Sequence, residues 1–205
     1  EDFDDDDDGV IDSIDVCSKG YTNWFSNSSS DYDLDGCNDS IEDQDDDNDD
    51  ILDINDYCYL GNKGWISNNS TDWDSDGCQD DSDEDLDDDN DGFLDASDNC
   101  NNSPIGWISN SSTDYDSDGC QDSSEDLDDD NDLILDSADY CPYGSLGWES
   151  NNATDYDSDG CQDSSEDLDD DNDGVIDVND SCQTGYSGLD FDAGHDYDGD
   201  GCHDS

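Results

Sequence analysis

Acidic side chains outnumber basic ones 67 to 2 in this chain, leaving a formal net charge of −65. Apolar packing cannot hold such a chain together against its own repulsion, because only 28% of its residues are apolar even with Tyr and Cys counted. Low hydrophobicity with a charge of this size is the signature of a chain that stays unfolded in water. Any fold therefore has to bring cations in from solution. The same charge excludes nucleic acid as a partner, since phosphate would be repelled, and no apolar run approaches the roughly 20 residues of a membrane span. The ten cysteines argue for order. Their even number, regular spacing and lack of any CxxC pair read as a disulfide framework in an oxidising, extracellular or cell-surface setting. Neither an initiator Met nor a signal peptide is present, which reads as an internal segment of a longer exported chain.

The cysteines also give a period. Cys17, Cys58, Cys100, Cys141 and Cys182 are spaced by 41, 42, 41 and 41 residues, and Cys37, Cys78, Cys120, Cys161 and Cys202 take the same steps. The chain thus reads as five copies of one unit, 1–43, 44–85, 86–126, 127–167 and 168–205, the last cut short, with the one extra residue near Asp81. Nothing in a copy has helical periodicity. Apolar residues stand alone or in pairs such as Val175-Ile176, bounded by Asp, Asn, Gly and Ser, which favour turns. The expected architecture is irregular, a loop-dominated solenoid or wire in which each copy contacts mainly its neighbours. Glu1-Asp2-Phe3-Asp4 aligns with Glu166-Asp167-Leu168-Asp169, and Ser205 falls inside a loop, which suggests a window on a longer array.

Each copy holds two acidic loops that fit a metal-loop pattern with ligands at positions 1, 3, 5, 7, 9 and 12 and glycine at 6. In the first loops the side-chain ligands are Asp4, Asp6, Asp8, Asp12 and Asp15; then Asp45, Asp47, Asp49, Asp53 and Asp56. The third copy supplies Asp87, Asp89, Asp91, Asp95 and Asp98, the fourth Asp128, Asp130, Asp132, Asp136 and Asp139, and the fifth Asp169, Asp171, Asp173, Asp177 and Asp180. Carbonyls come from Val10, Ile51, Phe93, Leu133 and Val175. The second loops carry Asp31, Asp33, Asp35, Asp39 and Glu42; Asp72, Asp74, Asp76, Asp80 and Asp83; and Asp114, Asp116, Asp118, Asp122 and Glu125. They continue with Asp155, Asp157, Asp159, Asp163 and Glu166, then Asp196, Asp198, Asp200 and Asp204, with carbonyls from Cys37, Cys78, Cys120, Cys161 and Cys202.

Alternate residues of a tight turn aim three carboxylates at one point, and calcium wants six to eight such hard oxygens. Magnesium demands a smaller octahedron and keeps its water, so a cage of several carboxylates favours calcium, at least ten ions in all. A disordered acidic tail would not demand glycine at fixed offsets. Asp50 and Leu133 stand where the first loop should have glycine, which points to two reshaped or weaker sites.

The loops are not EF-hands, because only Asp167 and Leu168 separate Glu166 from Asp169 and leave no room for a helix. Between Asp139 and Asp155, Pro142, Gly144 and Gly147 oppose one as well. The run DxDxDGxxDxxDxC followed by DxDxDGCxD instead resembles the thrombospondin type 3 repeat, and the longer GWxSN insert is similar to tandem acidic repeats of archaeal and bacterial surface proteins. The resemblance implies a calcium-stabilised, disulfide-pinned chain with almost no secondary structure, wrapped around a string of calcium ions.

Within a copy the two cysteines are always 20 residues apart, whereas the step to the next copy varies. The constant interval predicts Cys17–Cys37, Cys58–Cys78, Cys100–Cys120, Cys141–Cys161 and Cys182–Cys202. A rival chain of links beginning Cys37–Cys58 would leave Cys17 and Cys202 free. Trp24, Trp65, Trp107 and Trp148 share one place in the insert, taken by Leu189 in the fifth copy, and beside each Trp lies a sequon, at Asn27, Asn69, Asn110 and Asn152. These read as N-glycosylation sites of an exported chain. Catalysis finds little support, because no core exists to shape a pocket. The leading expectation is a structural, calcium-rigidified, glycosylated fibre or filament, self-associating or covalently continued. A stalk for an adhesin or surface enzyme, or a calcium buffer or mineral nucleator, are the alternatives.

Overall fold

In the computed structural model the described residues are 2–185 and 196–203, so that Leu189 and the expected ligand Asp204 lie outside them. Among the described residues there is no helix and no strand; the chain runs through turns and bends alone. It divides into two compact units, Glu1–Trp107 and Ile108–Ser205. Neither is built on a ladder of backbone hydrogen bonds. Carboxylates do that work instead. The carboxylate at position 1 of a loop accepts the N–H groups of positions 5 and 6, as Asp31 does from Asp35 and Gly36 at 3.0 and 3.1 Å. The carboxylate at position 5 accepts the N–H of position 7, as Asp8 does from Val10 at 2.7 Å. Asx turns of this kind are the competitor that makes Asp a poor helix former, and here they recur without a break.

Backbone bonds then close each loop and join loop to loop. The N–H of position 9 reaches the carbonyl before position 1: Asp12 to Phe3 at 3.0 Å, Asp53 to Gln44 at 2.9 Å, Asp136 to Leu127 at 2.9 Å. Within a copy, Val16 N–H donates to Asp35 C=O, Tyr57 to Asp76, Tyr140 to Asp159 and Ser181 to Asp200, each at 2.8 Å. From one copy to the next an aromatic residue makes the link. The hydroxyls of Tyr32, Tyr115 and Tyr156 donate to the carbonyls of Gly61, Gly144 and Gly185, and the indole of Trp73 donates to Ser103.

Cysteine pairing follows the constant interval. Cys17–Cys37, Cys58–Cys78, Cys141–Cys161 and Cys182–Cys202 are disulfides, Cys100 and Cys120 are disulfide-bonded too, and no cysteine is free. The rival linkage through Cys37–Cys58 is thereby excluded. Closing loops of this length stabilises the fold by roughly 3 kcal/mol each. Five disulfides fit an oxidising environment.

The interior inverts the usual order of burial. Among the described residues Cys37, Cys78, Cys120 and Cys161 are the buried hydrophobic ones, whereas Ile54, Tyr57, Tyr140 and Val178 are at least 80% exposed. Among the described residues the largest fully buried side chains are Asp8, Asp31, Asp47, Asp49, Asp72, Asp91, Asp114, Asp130, Asp132, Asp155, Asp171 and Ser103. Aspartate is among the residues least often buried in folded proteins, yet here it is the core.

Position 6 of the first loop turns through positive φ in every copy, at 98° in Gly9 and 93° in Gly174. Asp50 and Leu133 are held in the same conformation, at 78° and 82°, so the loop keeps its course and the side chain bears the strain. Leu133 is 64% exposed and has little packing to lose. Leu133→Gly should therefore stabilise the cation-loaded protein by about 0.5–1 kcal/mol, the relief of strain being partly offset by the greater freedom of glycine in the unfolded chain. Calorimetry in saturating calcium checks this as a rise of a few degrees in Tm, with Gly174→Leu expected to fall by a similar amount.

Candidate metal centres

Both kinds of loop gather three carboxylates at one point. Asp4, Asp6 and Asp8, and Asp45, Asp47 and Asp49, bring oxygens within 4.8 Å of one another in first loops; Asp31, Asp33 and Asp35, and Asp72, Asp74 and Asp76, do so in second loops. In the later copies the same turns recur, with Asp132 accepting from Ile134 and Asp173 from Val175 at 2.6 and 2.7 Å, and Gly119, Gly160 and Gly201 donating to Asp114, Asp155 and Asp196. At positions 5 and 12 of the first loops a backbone N–H satisfies one carboxylate oxygen and leaves the second.

The second oxygens decide what the loops can do. Oδ2 of Asp8, Asp49, Asp132 and Asp173 at position 5, and of Asp15, Asp56, Asp98, Asp139 and Asp180 at position 12, are buried with no hydrogen-bond partner. At position 12 the other oxygen is occupied: Cys17 N–H donates to Asp15 at 2.7 Å and Cys58 to Asp56 at 2.6 Å. Asp15 lies between the two loops of its copy, where a Cβ on Gly36 would overlap its carboxylate; Asp56, Asp139 and Asp180 stand likewise against Gly77, Gly160 and Gly201. A buried, ionised and unpaired carboxylate is among the costliest groups a protein can hold. Hard oxygens orphaned in pairs fit a hard cation and little else.

Electrostatics give the same account. Burial first, and then repulsion from Asp8 and Asp6 against the opposing Cys17 N–H, pushes Asp15 up to about 6. Asp56 and Asp139 rise to about 7 and Asp98 to about 6 for the same reasons. In the second loops burial and the neighbouring carboxylates lift Asp33, Asp116 and Asp157 to about 7 and Asp74 to about 6. The chain has few cations of its own to relieve this. Lys19 pairs with Asp5 at 3.5 Å, and Lys63 sits over the Tyr32 ring with its Nζ on the Tyr32 carbonyl.

Other expected ligands fall into place differently. Position 9 works as a pin: Asp12, Asp53, Asp95, Asp136 and Asp177 accept the N–H of Asp5, Asp46, Asp88, Asp129 and Asp170. Asp39, Asp80, Asp122 and Asp163 do the same for Tyr32, Trp73, Tyr115 and Tyr156. Glu42 accepts from Tyr21 and Asn38, and Glu166 from Ser145 and Gln162. In the second copy the matching bonds, from Asn62 and Gln79, go to Glu84 and not to Asp83. The extra residue shifts the register there, and Asp81 takes it up at φ 56°. In the fourth copy Ile134, not Leu133, holds the place of Val10, Ile51 and Val175, since its N–H meets Asp132. A further row was missed in the sequence: the amides of Asn48, Asn90, Asn131 and Asn172 donate to Asp33, Asp74, Asp116 and Asp157 of the preceding loop. Its signal was the recurring DDDND.

A scan of protein-family models finds no match to this chain, and a search of curated proteins finds none either. Among the described residues no helix is long and apolar enough to cross a membrane.

The raised carboxyl pKa values set a pH dependence with a definite sign. Without a cation the folded form holds protons that the unfolded chain, near 3.8, has released. The contribution of these groups to its stability is complete below about pH 4 and is lost as pH rises through 6 to 7. A bound divalent ion replaces those protons, so the loaded form shows the opposite trend, binding more weakly as pH falls through the same window. Hydrogen exchange on chelated and calcium-loaded protein between pH 4 and 8 should show the two curves crossing.

Proposed function

We propose that the chain is a calcium-binding structural protein of the extracellular space, an array of thrombospondin type 3-like repeats that serves as a stiff fibre or stalk and has no catalytic role. The observation that carries this reading is the burial of paired, unpartnered carboxylate oxygens in the first loops of successive copies. Calcium suits them better than magnesium, because each cage offers several carboxylates at flexible angles and no ring of small octahedral positions. Ten divalent ions would reduce the charge to about −45, so neutralisation is partial and folding stays tied to ion activity. With a dissociation constant near 0.1 mM and free calcium near 10 mM, each site contributes about 2.7 kcal/mol by mass action. Summed over the loops this replaces the missing hydrophobic core. Chelation should produce a large increase in the radius of gyration by small-angle scattering, reversed on adding calcium. An unchanged radius would sink the proposal.

Glycans belong to the same reading. The sequons fall at two places, not one. Asn27 and Asn110 open the tip turn, their Nδ2 donating to Phe25 and Ile108 carbonyls and to the Ser30 and Thr113 hydroxyls. Asn69 and Asn152 stand one residue further on, exposed at the tip. All four are proposed carriers, with fuller occupancy at Asn69 and Asn152, whose amides do not hold the turn. Glycopeptide mass spectrometry of native material reads the occupancies directly; four bare asparagines would remove this part and leave the metal loops untouched.

A further inference from the structure

A shallow cleft of about 300 Å³ lies beside the Cys58–Cys78 disulfide of the second copy, lined by Tyr57, Cys58, Tyr59, Leu60, Gly61 and Glu84. Its walls are fixed by the backbone. Tyr57 N–H donates to the Asp76 carbonyl and Gly61 N–H to the Asp47 carboxylate, both at 2.8 Å. The N–H groups of Asn62 and Gln79 hold the two oxygens of Glu84 at 2.7 and 3.1 Å. The apolar side chains on those walls are nevertheless open to solvent, with Tyr57 82%, Tyr59 49% and Leu60 43% exposed. We propose that this cleft is a docking place for a lysine side chain of a basic partner protein, its ammonium held by the two tyrosines and Glu84. The proposal adds a partner to the structural reading above and holds whichever ion fills the loops.

Three observations carry it. The first is the chemistry of the lining. The face of a tyrosine ring attracts an ammonium group, the Glu84 carboxylate adds an opposite charge, and Leu60 offers apolar surface to the four-carbon stem of a lysine. The second is that the same cleft recurs 41 residues earlier with a lysine already in its wall. In the first copy Val16, Ser18, Lys19 and Glu42 take the places of Tyr57, Tyr59, Leu60 and Glu84. Where the chain supplies the ammonium the tyrosines are absent, and where the tyrosines stand the ammonium is missing.

The third is that the chain makes this contact with itself elsewhere. Lys63 places its Nζ 3.9 Å from the centre of the Tyr32 ring and donates to the Tyr32 carbonyl at 2.7 Å. Lys63 and Lys19 are the whole supply of basic side chains apart from histidine, and Lys19 pairs with Asp5 at 3.5 Å. Both are engaged, so the occupant of the second cleft comes from outside. The net charge of −65 selects what that occupant is, because it draws a basic protein from a distance and repels a second molecule of this chain.

The test is an NMR titration of the calcium-loaded full chain with a capped glycine–serine peptide carrying one lysine, in about 0.5 M salt to screen diffuse attraction. The ring resonances of Tyr57 and Tyr59 should shift saturably, and the same peptide with norleucine for lysine should leave them in place. Tyr59→Ala should weaken binding about fivefold, read at the Tyr57 ring. Tyr21→Ala, at an exposed tyrosine of the first copy, should leave it unchanged. Leu60→Lys keeps both rings and restores the arrangement of the first copy, so its own ammonium should block the cleft and abolish the shift. It keeps the proposal open to test if Tyr59→Ala disturbs the fold. An equal response to the norleucine peptide would leave only an apolar groove, and unchanged affinity in Tyr59→Ala and Leu60→Lys would leave only the general charge of the chain; either result overturns the proposal. Ring shifts on raising the protein concentration alone would give the cleft to a second molecule of this chain and overturn it too.

Discussion

Carboxylates buried beside carboxylates, with almost no basic side chains to answer them, are the constraint from which the rest of this structure follows. In ordinary domains a buried charge is an exception held by a partner of opposite sign. Here it is the rule, and the side chains that vanish from solvent are almost all aspartates. Such an interior is stable only when the compensating charge is imported, so folding and cation binding become one equilibrium. Protons can supply that charge in acid, which is why burial lifts Asp56 and Asp139 to about 7.

The chain prepares its carboxylates without secondary structure. At positions 5 and 12 of a first loop the aspartate spends one oxygen on a nearby backbone N–H, which fixes its direction, and leaves the other to face its neighbours. Because those bonds span two to seven residues, a loop is specified by its own dozen positions and tolerates change outside them. The extra residue at Asp81 shows the tolerance. It bulges at positive φ, and Glu84 still reaches the two N–H groups that Glu42 and Glu166 reach in other copies. Longer-range order comes from a few links of fixed kind: a disulfide 20 residues long and an aromatic donor reaching a carbonyl 29 or 30 residues on.

Much of this was legible because the loop pattern is a statement about geometry. Carboxylates at positions 1, 3 and 5 must converge if the turn forms, and the constant Cys interval named the disulfides. Other features required the fold. In DDDNDLILD the carbonyl was named at Leu133, which holds position 6; a count from Asp128 gives position 7 to Ile134, and the turn agrees. Asp83 was chosen by its distance from Asp72, and one inserted residue moved the role to Glu84. The pinning role of position 9 was hidden because a ligand and a turn-holding acceptor look alike in sequence. Burial itself was the least visible, since nothing in composition says that aspartate goes in and isoleucine stays out.

That inversion also explains why apolar residues such as Ile54 and Val178 carry no structural burden here. A hydrophobic core stabilises wherever there is water, whereas an interior of carboxylates stabilises only where divalent cations are abundant and thiols are oxidised. With calcium as the ion, both conditions are met outside cells. The same sequence would then lose its order where divalent cations are scarce or thiols are reduced, with the surrounding ion activity acting as the switch. If the loops hold divalent ions, a change of one residue in a loop would matter less than a tenfold change in free ion, which would shift every occupied site at once by about 1.4 kcal/mol.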